Sequence, residues 1–226
     1  MVDKNVTEGC LMCKHNDNTM ASLANRCWFC SNRVLVNTFE RRVDGESGEP
    51  MSTRILFIDL DGTIIEPKSA KDGKWSTGLD DWCYKDGVLE AIKRYNPSHL
   101  HIVTNRGDIK TGQMSEDVFL DKMALITQDL KGMLPKTAVT FDYAVAVVKD
   151  NDYRRKPNVG MLEEWCAENG LLRTSPEFGV TDMVMVGDGT LATGVCHGAD
   201  ELLAKNFGIP FLDIDTFIRI NNNSII

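Results

Sequence analysis

Three short apolar runs stand in the middle of the chain, and each ends in polar groups. Ile55-Leu56-Phe57-Ile58 runs into Asp59-Leu60-Asp61-Gly62-Thr63. His99 to Val103 runs into Thr104-Asn105. Met183-Val184-Met185-Val186 runs into Gly187-Asp188-Gly189. Runs of this length predict strands buried on both faces, the pattern of a parallel sheet. Ala144 to Val148 and Ile209 to Leu212 are read as two more strands. Between them the apolar spacing becomes helical. Asp86 to Tyr95 presents Val88, Leu89, Ile92 and Tyr95 on one stripe, and Asn96-Pro97 stops it. Ser115 to Gly132 has Ser115 as N-cap and Glu116 and Asp117 in the first turn, where the helix dipole favours them. Its Phe119, Met123, Ile126, Leu130 and Met133 recur at core spacing. Met161 to Asn169, closed by Gly170, and Ala199 to Asn206, ended near Gly208, are the later helices. Strands alternating with helices predict an α/β fold: a doubly wound parallel sheet with helices on both faces.

The flanks differ from this core. Residues 64 to 85 are polar and glycine-interrupted, and read as a flap over the sheet edge rather than a separate cap. Trp75 and Trp82 are its expected apolar pegs. Residues 41–53 are polar, hold two glycines and Pro50, and read as a linker. Residues 1–40 carry Cys10-Leu11-Met12-Cys13 and Cys27-Trp28-Phe29-Cys30, two C-x-x-C pairs thirteen residues apart. Two such turns can complete a tetrahedral four-thiolate site, so a small zinc ribbon is expected, with Zn²⁺ supplying stability that so short a segment cannot draw from a core. A redox dithiol is the alternative, without βαβ context to support it. Four thiolates leave no open position, so this zinc is structural. Trp28, Phe29, Arg26 and Arg33 are read either as packing the module on its neighbour or as contacting a nucleic-acid or protein partner. The main domain is expected over 54–220, with 221–226 as a tail.

Composition narrows the classes. At 226 residues, 42% apolar and 26% charged, the chain can bury one sizeable core. It has no apolar run of about 18 residues, so no membrane partner is expected. No apolar leader begins it, and seven cysteines, four at metal spacing, fit a reducing intracellular compartment such as the cytoplasm. The net charge of −8 argues against a broad nucleic-acid footprint but allows a local basic groove.

The acids at the strand ends need a purpose, because a desolvated carboxylate without a partner costs several kcal/mol or shifts its pKa. The carboxyl edge of an open α/β sheet is where ligands bind. Asp59-x-Asp61-Gly62-Thr63, then Thr104, then Lys156, then Asp188 resemble the four motifs of the haloacid dehalogenase superfamily of phosphohydrolases, over residues 54 to 218. The resemblance implies Mg²⁺ held by Asp59, Asp188 and the backbone carbonyl of Asp61. It implies Asp59 as nucleophile, Asp61 as general acid and base, and Thr104 and Lys156 on the phosphate.

A narrower resemblance follows. Tyr153-Arg154-Arg155-Lys156-Pro157 with Gly160-Met161 is similar to the Y-R-K-P-x-x-G-M segment of the phosphatase domain of polynucleotide kinase/phosphatases, with one extra arginine. Asp81-Trp82 and Gly198 to Phe211 match further segments of that family. Those enzymes remove 3′-phosphates from DNA or RNA ends. Arg106 stands where the family has glutamine, and Thr193 to His197 replaces its D-F-S. No P-loop is present, so the kinase half is missing. With no large cap the site can admit a polynucleotide 3′ end. Asn105, Arg106, Arg154 and Arg155 are then candidates for binding its phosphates. Two alternatives remain: a small-molecule phosphatase of the histidinol- or heptose-phosphate type, and a non-catalytic zinc-ribbon adaptor for nucleic-acid ends.

Overall fold

The computed structural model describes residues 53–69, 78–171 and 182–222. The four cysteines of the expected zinc module, the linker to residue 52, Trp75 and the last four residues lie outside them. The elements in order are β1 (Arg54–Ile58), β2 (Ile65–Glu66), β3 (Cys83–Tyr84), α1 (Val88–Tyr95), β4 (His99–Asn105), α2 (Gly107–Lys110), α3 (Glu116–Met133), β5 (Ala138–Ala144), α4 (Gly160–Glu168), β6 (Asp182–Gly187), α5 (Ala199–Phe207), β7 (Phe211–Asp213) and α6 (Ile214–Asn222). Five strands form one sheet in the order β5-β4-β1-β6-β7. Every neighbouring pair is parallel. β1 is therefore central, which is why its Ile55 to Ile58 segment is apolar throughout and fully buried.

The pleat splits β1 between two cores. Leu56 and Ile58 join Ile92 of α1, Phe119, Met123, Ile126 and Leu130 of α3, and Phe217 of α6. Ile55 and Phe57 join Met161, Leu162 and Trp165 of α4 and Leu203 and Phe207 of α5. The expected doubly wound α/β layering is thus present, with helices on both faces. Ser115 caps α3 by accepting from the Val118 N–H at 3.3 Å.

Three elements depart from the expectation. The strand read over Ala144–Val148 lies earlier, at Ala138–Ala144. It is an edge strand whose Thr140 and Asp142 alternate with apolar positions, so it lacks the continuous apolar signal of a central one. The flap begins and ends as a two-stranded antiparallel pair, Ile65 with Tyr84 and Glu66 with Cys83. The chain also continues past the last strand as α6, whose buried Ile214 and Phe217 complete the α1 face. Trp82 is a peg as expected: its ring packs edge-on to Tyr84 at 5.4 Å and its N–H donates to Leu79 O at 3.0 Å.

Phe57 meets His101, Trp165 and Phe207 edge-on at 5.9, 5.4 and 6.2 Å. We expect Phe57→Ala to destabilise the fold by about 3–5 kcal/mol, read from the urea midpoint. A loss below about 1 kcal/mol would mean that this core collapses around the deletion.

Candidate active site

The carboxyl ends of β1, β4 and β6 meet at one point of the sheet edge. β1 delivers Asp59 and Asp61, both 7% exposed; β4 delivers Thr104, also buried; β6 delivers Asp188, which is half-buried. Lys156 arrives from the loop before α4. Its ammonium, 4% exposed, lies 2.5 Å from Asp59 Oδ1 and 2.7 Å from Asp200 Oδ1, and donates to Val103 O at 2.9 Å. Burial opposes the Lys156 charge, but Asp200 and Asp59 outweigh it and hold the ammonium above the ordinary lysine range. Asp59, Lys156 and Asp188 thus lie together at this edge.

The turn that carries them is held by short contacts. Thr63 Oγ1 donates to Asp59 Oδ2 at 3.3 Å and accepts from the Asp188 N–H at 3.1 Å, tying the β1 loop to the β6 loop. Gly62 has φ +80°, and a Cβ there would lie 2.3 Å from Asp188 Oδ2. Only glycine satisfies both the turn and the approach. The Gly189 N–H donates to Asp200 Oδ2 at 2.9 Å, and a Cβ on Gly189 would lie 2.7 Å from that oxygen.

Asp200, at the start of α5, is the residue whose role the sequence left open. One oxygen each of Asp59, Asp188 and Asp200 lies within 4.8 Å of the others. Burial, then the neighbouring acids Asp59 and Asp200, push Asp188 up to about 7. Burial and Asp59 likewise push Asp200 up to about 6, against Lys156. Three hard oxygen donors carrying more negative charge than Lys156 alone neutralises fit a divalent cation. Asp200 belongs to the Gly198 to Phe211 segment that resembles the family's, and that segment pointed to an acid near the metal; its direct place beside Asp59, 141 residues away, is seen only in the fold.

Asp61 has a different environment from the expected one. Arg106 donates to its Oδ2, and Lys122 Nζ lies 4.0 Å from its Oδ1. Burial first, and then the neighbouring acids Asp59 and Asp108, raise its carboxyl above the usual range, against the pull of Arg106 and Lys122. Lys122 sits on the core face of α3 and is fully buried, a position the helical spacing assigned to no function.

The four candidate substrate-binding residues are placed otherwise than expected. Arg106 is 2% exposed and bonded to Asp61 and Asp108, so it cannot also lie on a neighbouring phosphate. Asn105 clamps the Lys156 backbone, accepting from its N–H at 2.9 Å and donating to its carbonyl at 3.0 Å. Arg154 is bound to Asp142 at 2.5 Å and Glu164 at 2.9 Å, toward β5 and α4. Arg155 donates to Ala146 O at 2.6 Å and stays half-buried beside the loop after β5.

Fold and site together define a haloacid dehalogenase-like phosphatase, a phosphoric monoester hydrolase. Residues 54–217 match the polynucleotide kinase 3 phosphatase family, and the chain belongs to that family. No curated protein matches the chain. The fold is similar to that of D,D-heptose 1,7-bisphosphate phosphatase from B. bronchiseptica, crystallised with magnesium and phosphate, at 14% identity and TM-score 0.51, covering 75% of this chain and 96% of that one. It is also similar to a protein from Mesorhizobium loti assigned as a HAD-like phosphatase, at 20% identity and TM-score 0.50, covering 80% and 90%. Among the described residues no helix is long and apolar enough to cross a membrane.

The raised Asp188 and Asp200 set a pH dependence for the metal-free protein. An acid whose folded pKa is raised contributes stability below its unfolded value, and that stability is lost as pH rises through the folded value. The contribution of this pair therefore falls as pH rises from the ordinary aspartate value of 3.8 up to the folded values of about 6 and about 7, and levels off above them. In chelator, the Tm should drop across that window, and Asp188→Asn should flatten the drop. An unchanged slope in the variant would show that Asp188 is not strained by its neighbours.

Proposed function

We propose that this protein removes 3′-phosphates from polynucleotide ends through an aspartyl-phosphate on Asp59, with Mg²⁺ in the carboxylate trio. The observation that carries the chemistry is the buried Lys156 held between Asp59 and Asp200. It fixes a cation beside the nucleophile, where an incoming phosphate would otherwise be repelled. Family membership supports the substrate. The magnesium and phosphate bound by the B. bronchiseptica neighbour support the metal.

Asp59, Asp188 and Asp200 would hold the Mg²⁺, with the Asp61 carbonyl as an added donor. Bound there, it would supply positive charge between nucleophile and phosphate. The chain's own residues do the rest. Asp59 presents its carboxylate to phosphorus, steadied by Thr63 and Lys156. Thr104 donates to a phosphate oxygen. Asp61, protonated, gives its proton to the leaving oxygen and later takes one from the attacking water. Asn105 keeps Lys156 in register.

The cleft beside Asp61 and Asp188, about 960 Å³, is lined by Glu66, Glu201, Asp213 and Asp215. Its Lys85 is paired with Glu66 at 3.0 Å. An anionic wall repels a phosphate backbone, so a polynucleotide has to leave the site over the other bank, past Arg155, Lys110 and Lys149. The same wall is the feature that favours a second reading, a small phosphate ester occupying that cleft. The N-terminal cysteines are proposed to hold a structural Zn²⁺.

The deciding measurement is Mg²⁺-dependent phosphate release from a 3′-phosphorylated oligonucleotide, a 5′-phosphorylated one and a panel of small esters. We expect preference for the 3′ end by about tenfold or more in kcat/KM. A small ester turned over faster than either oligonucleotide would replace the substrate and keep the enzyme. Asp59→Asn should lower kcat by about 10³-fold or more on any substrate; near-wild-type turnover would remove the mechanism. Zinc content should fall in Cys27→Ser, with phosphatase activity retained; unchanged zinc would refute the four-thiolate site.

A further inference from the structure

Arg106 is the largest fully buried side chain among the described residues. Its guanidinium forks between two carboxylates, donating to Asp61 Oδ2 with one nitrogen and Asp108 Oδ2 with the other. The second nitrogen also lies 3.4 Å from Met114 Sδ, and the guanidinium carbon stands 4.7 Å from the centre of the Phe119 ring. Its partners come from the turn after β1, from α2, from the turn before α3 and from α3 itself, so its position is determined from four directions. On the far side of Asp61, the fully buried Lys122 lies 4.0 Å from Oδ1. Oδ1 itself accepts no hydrogen bond among the described residues.

Two buried cations around one acid are a costly arrangement. Replacing buried ion pairs by apolar groups is often neutral or stabilising, so the pairing is weak evidence for a purely structural role. Chemistry supplies a better reason. A general acid becomes an anion as it works, and preorganised cations beside it stabilise charge that exists only once the proton has moved.

We propose that Arg106 is the positioning residue of the acid step: it pins Asp61 through Oδ2, leaves Oδ1 to carry the transferred proton and, with Lys122, stabilises the carboxylate that remains. This rests on the reading of Asp61 as the acid and not on the identity of the substrate. In the step, an Asp59 oxygen bonds phosphorus and the ester P–O bond breaks with its electron pair on the leaving oxygen. That oxygen takes the proton from Asp61 Oδ1. In the second half, water oxygen bonds phosphorus, the Asp59–phosphorus bond breaks, and Asp61 recovers a proton from that water. Asp108 holds the other end of the fork, so that the guanidinium cannot swing onto the phosphate.

Help from an acid matters in proportion to the basicity of the leaving oxygen. The test is therefore kcat/KM, which reports phosphoryl transfer, for aryl phosphates graded from p-nitrophenyl to phenyl and for an alkyl phosphate. Arg106→Gln should lose about 10²-fold or more on the alkyl phosphate and less than about threefold on the p-nitrophenyl ester. Asp61→Asn should show the same selective pattern, and Arg106→Lys should recover part of the loss. Asp108→Asn keeps Arg106 and frees one end of its fork; it should show a smaller loss with the same leaving-group dependence, and it decides the matter if Arg106→Gln does not fold. An equal loss across the series, or none, overturns the proposal. Wild-type turnover of these esters without turnover of a 3′-phosphorylated oligonucleotide would remove the polynucleotide substrate and leave the Arg106 comparison standing.

Discussion

The ion pair between Lys156 and two buried aspartates is the constraint on which the site depends. Asp59 sits at the end of the central strand, where the fold buries it whether or not a ligand is bound. A lone carboxylate there would be costly to ionise. The Lys156 ammonium makes it possible, and Asp200 makes the ammonium possible in turn. Each of the three would be unfavourable without the other two. Their mutual dependence explains why the surrounding backbone is arranged so closely: Asn105 clamps the Lys156 backbone from both sides, and Gly189 admits Asp200 with no room for a side chain.

Charge is distributed around Asp59 and Asp61 in opposite ways, although they stand two residues apart. Asp59 faces one cation and two further acids, a donor set with surplus negative charge that fits a metal ion. Asp61 faces two cations, Arg106 and Lys122. Side chains two residues apart along the chain thus meet different partners: one set has surplus negative charge, and the other already contains cations. This division fits the roles proposed for them, Asp59 as nucleophile and Asp61 as acid. It also places Arg106, a candidate phosphate-binding residue, inside the protein.

Much of this was determined by the sequence alone. The apolar runs at Ile55–Ile58, His99–Val103 and Met183–Val186 gave the central strands, because a strand covered on both faces has no polar positions to interrupt the signal. The residues that end them, Asp59, Asp61, Thr104 and Asp188, were legible because a strand end at the sheet edge needs no long-range information to be placed. The helical spacing of Phe119, Met123, Ile126 and Leu130 gave α3 for the same reason. What only the tertiary structure decided is what meets across distance. The alternating edge strand β5 and the closing helix α6 carry weaker local signals, and their burial depends on neighbours. Lys122 looks like an ordinary surface charge of an amphipathic helix, and Asp200 stands in a family-like segment without a fixed role; both are placed at the site because α3 and α5 pack these positions inward against opposite charge. Arg106 reads as a candidate for binding substrate phosphate until the fold brings Asp61 and Asp108 to the two ends of its guanidinium. Local pattern can place a backbone element, but the partner of a buried charge is fixed only when the chain has closed around it.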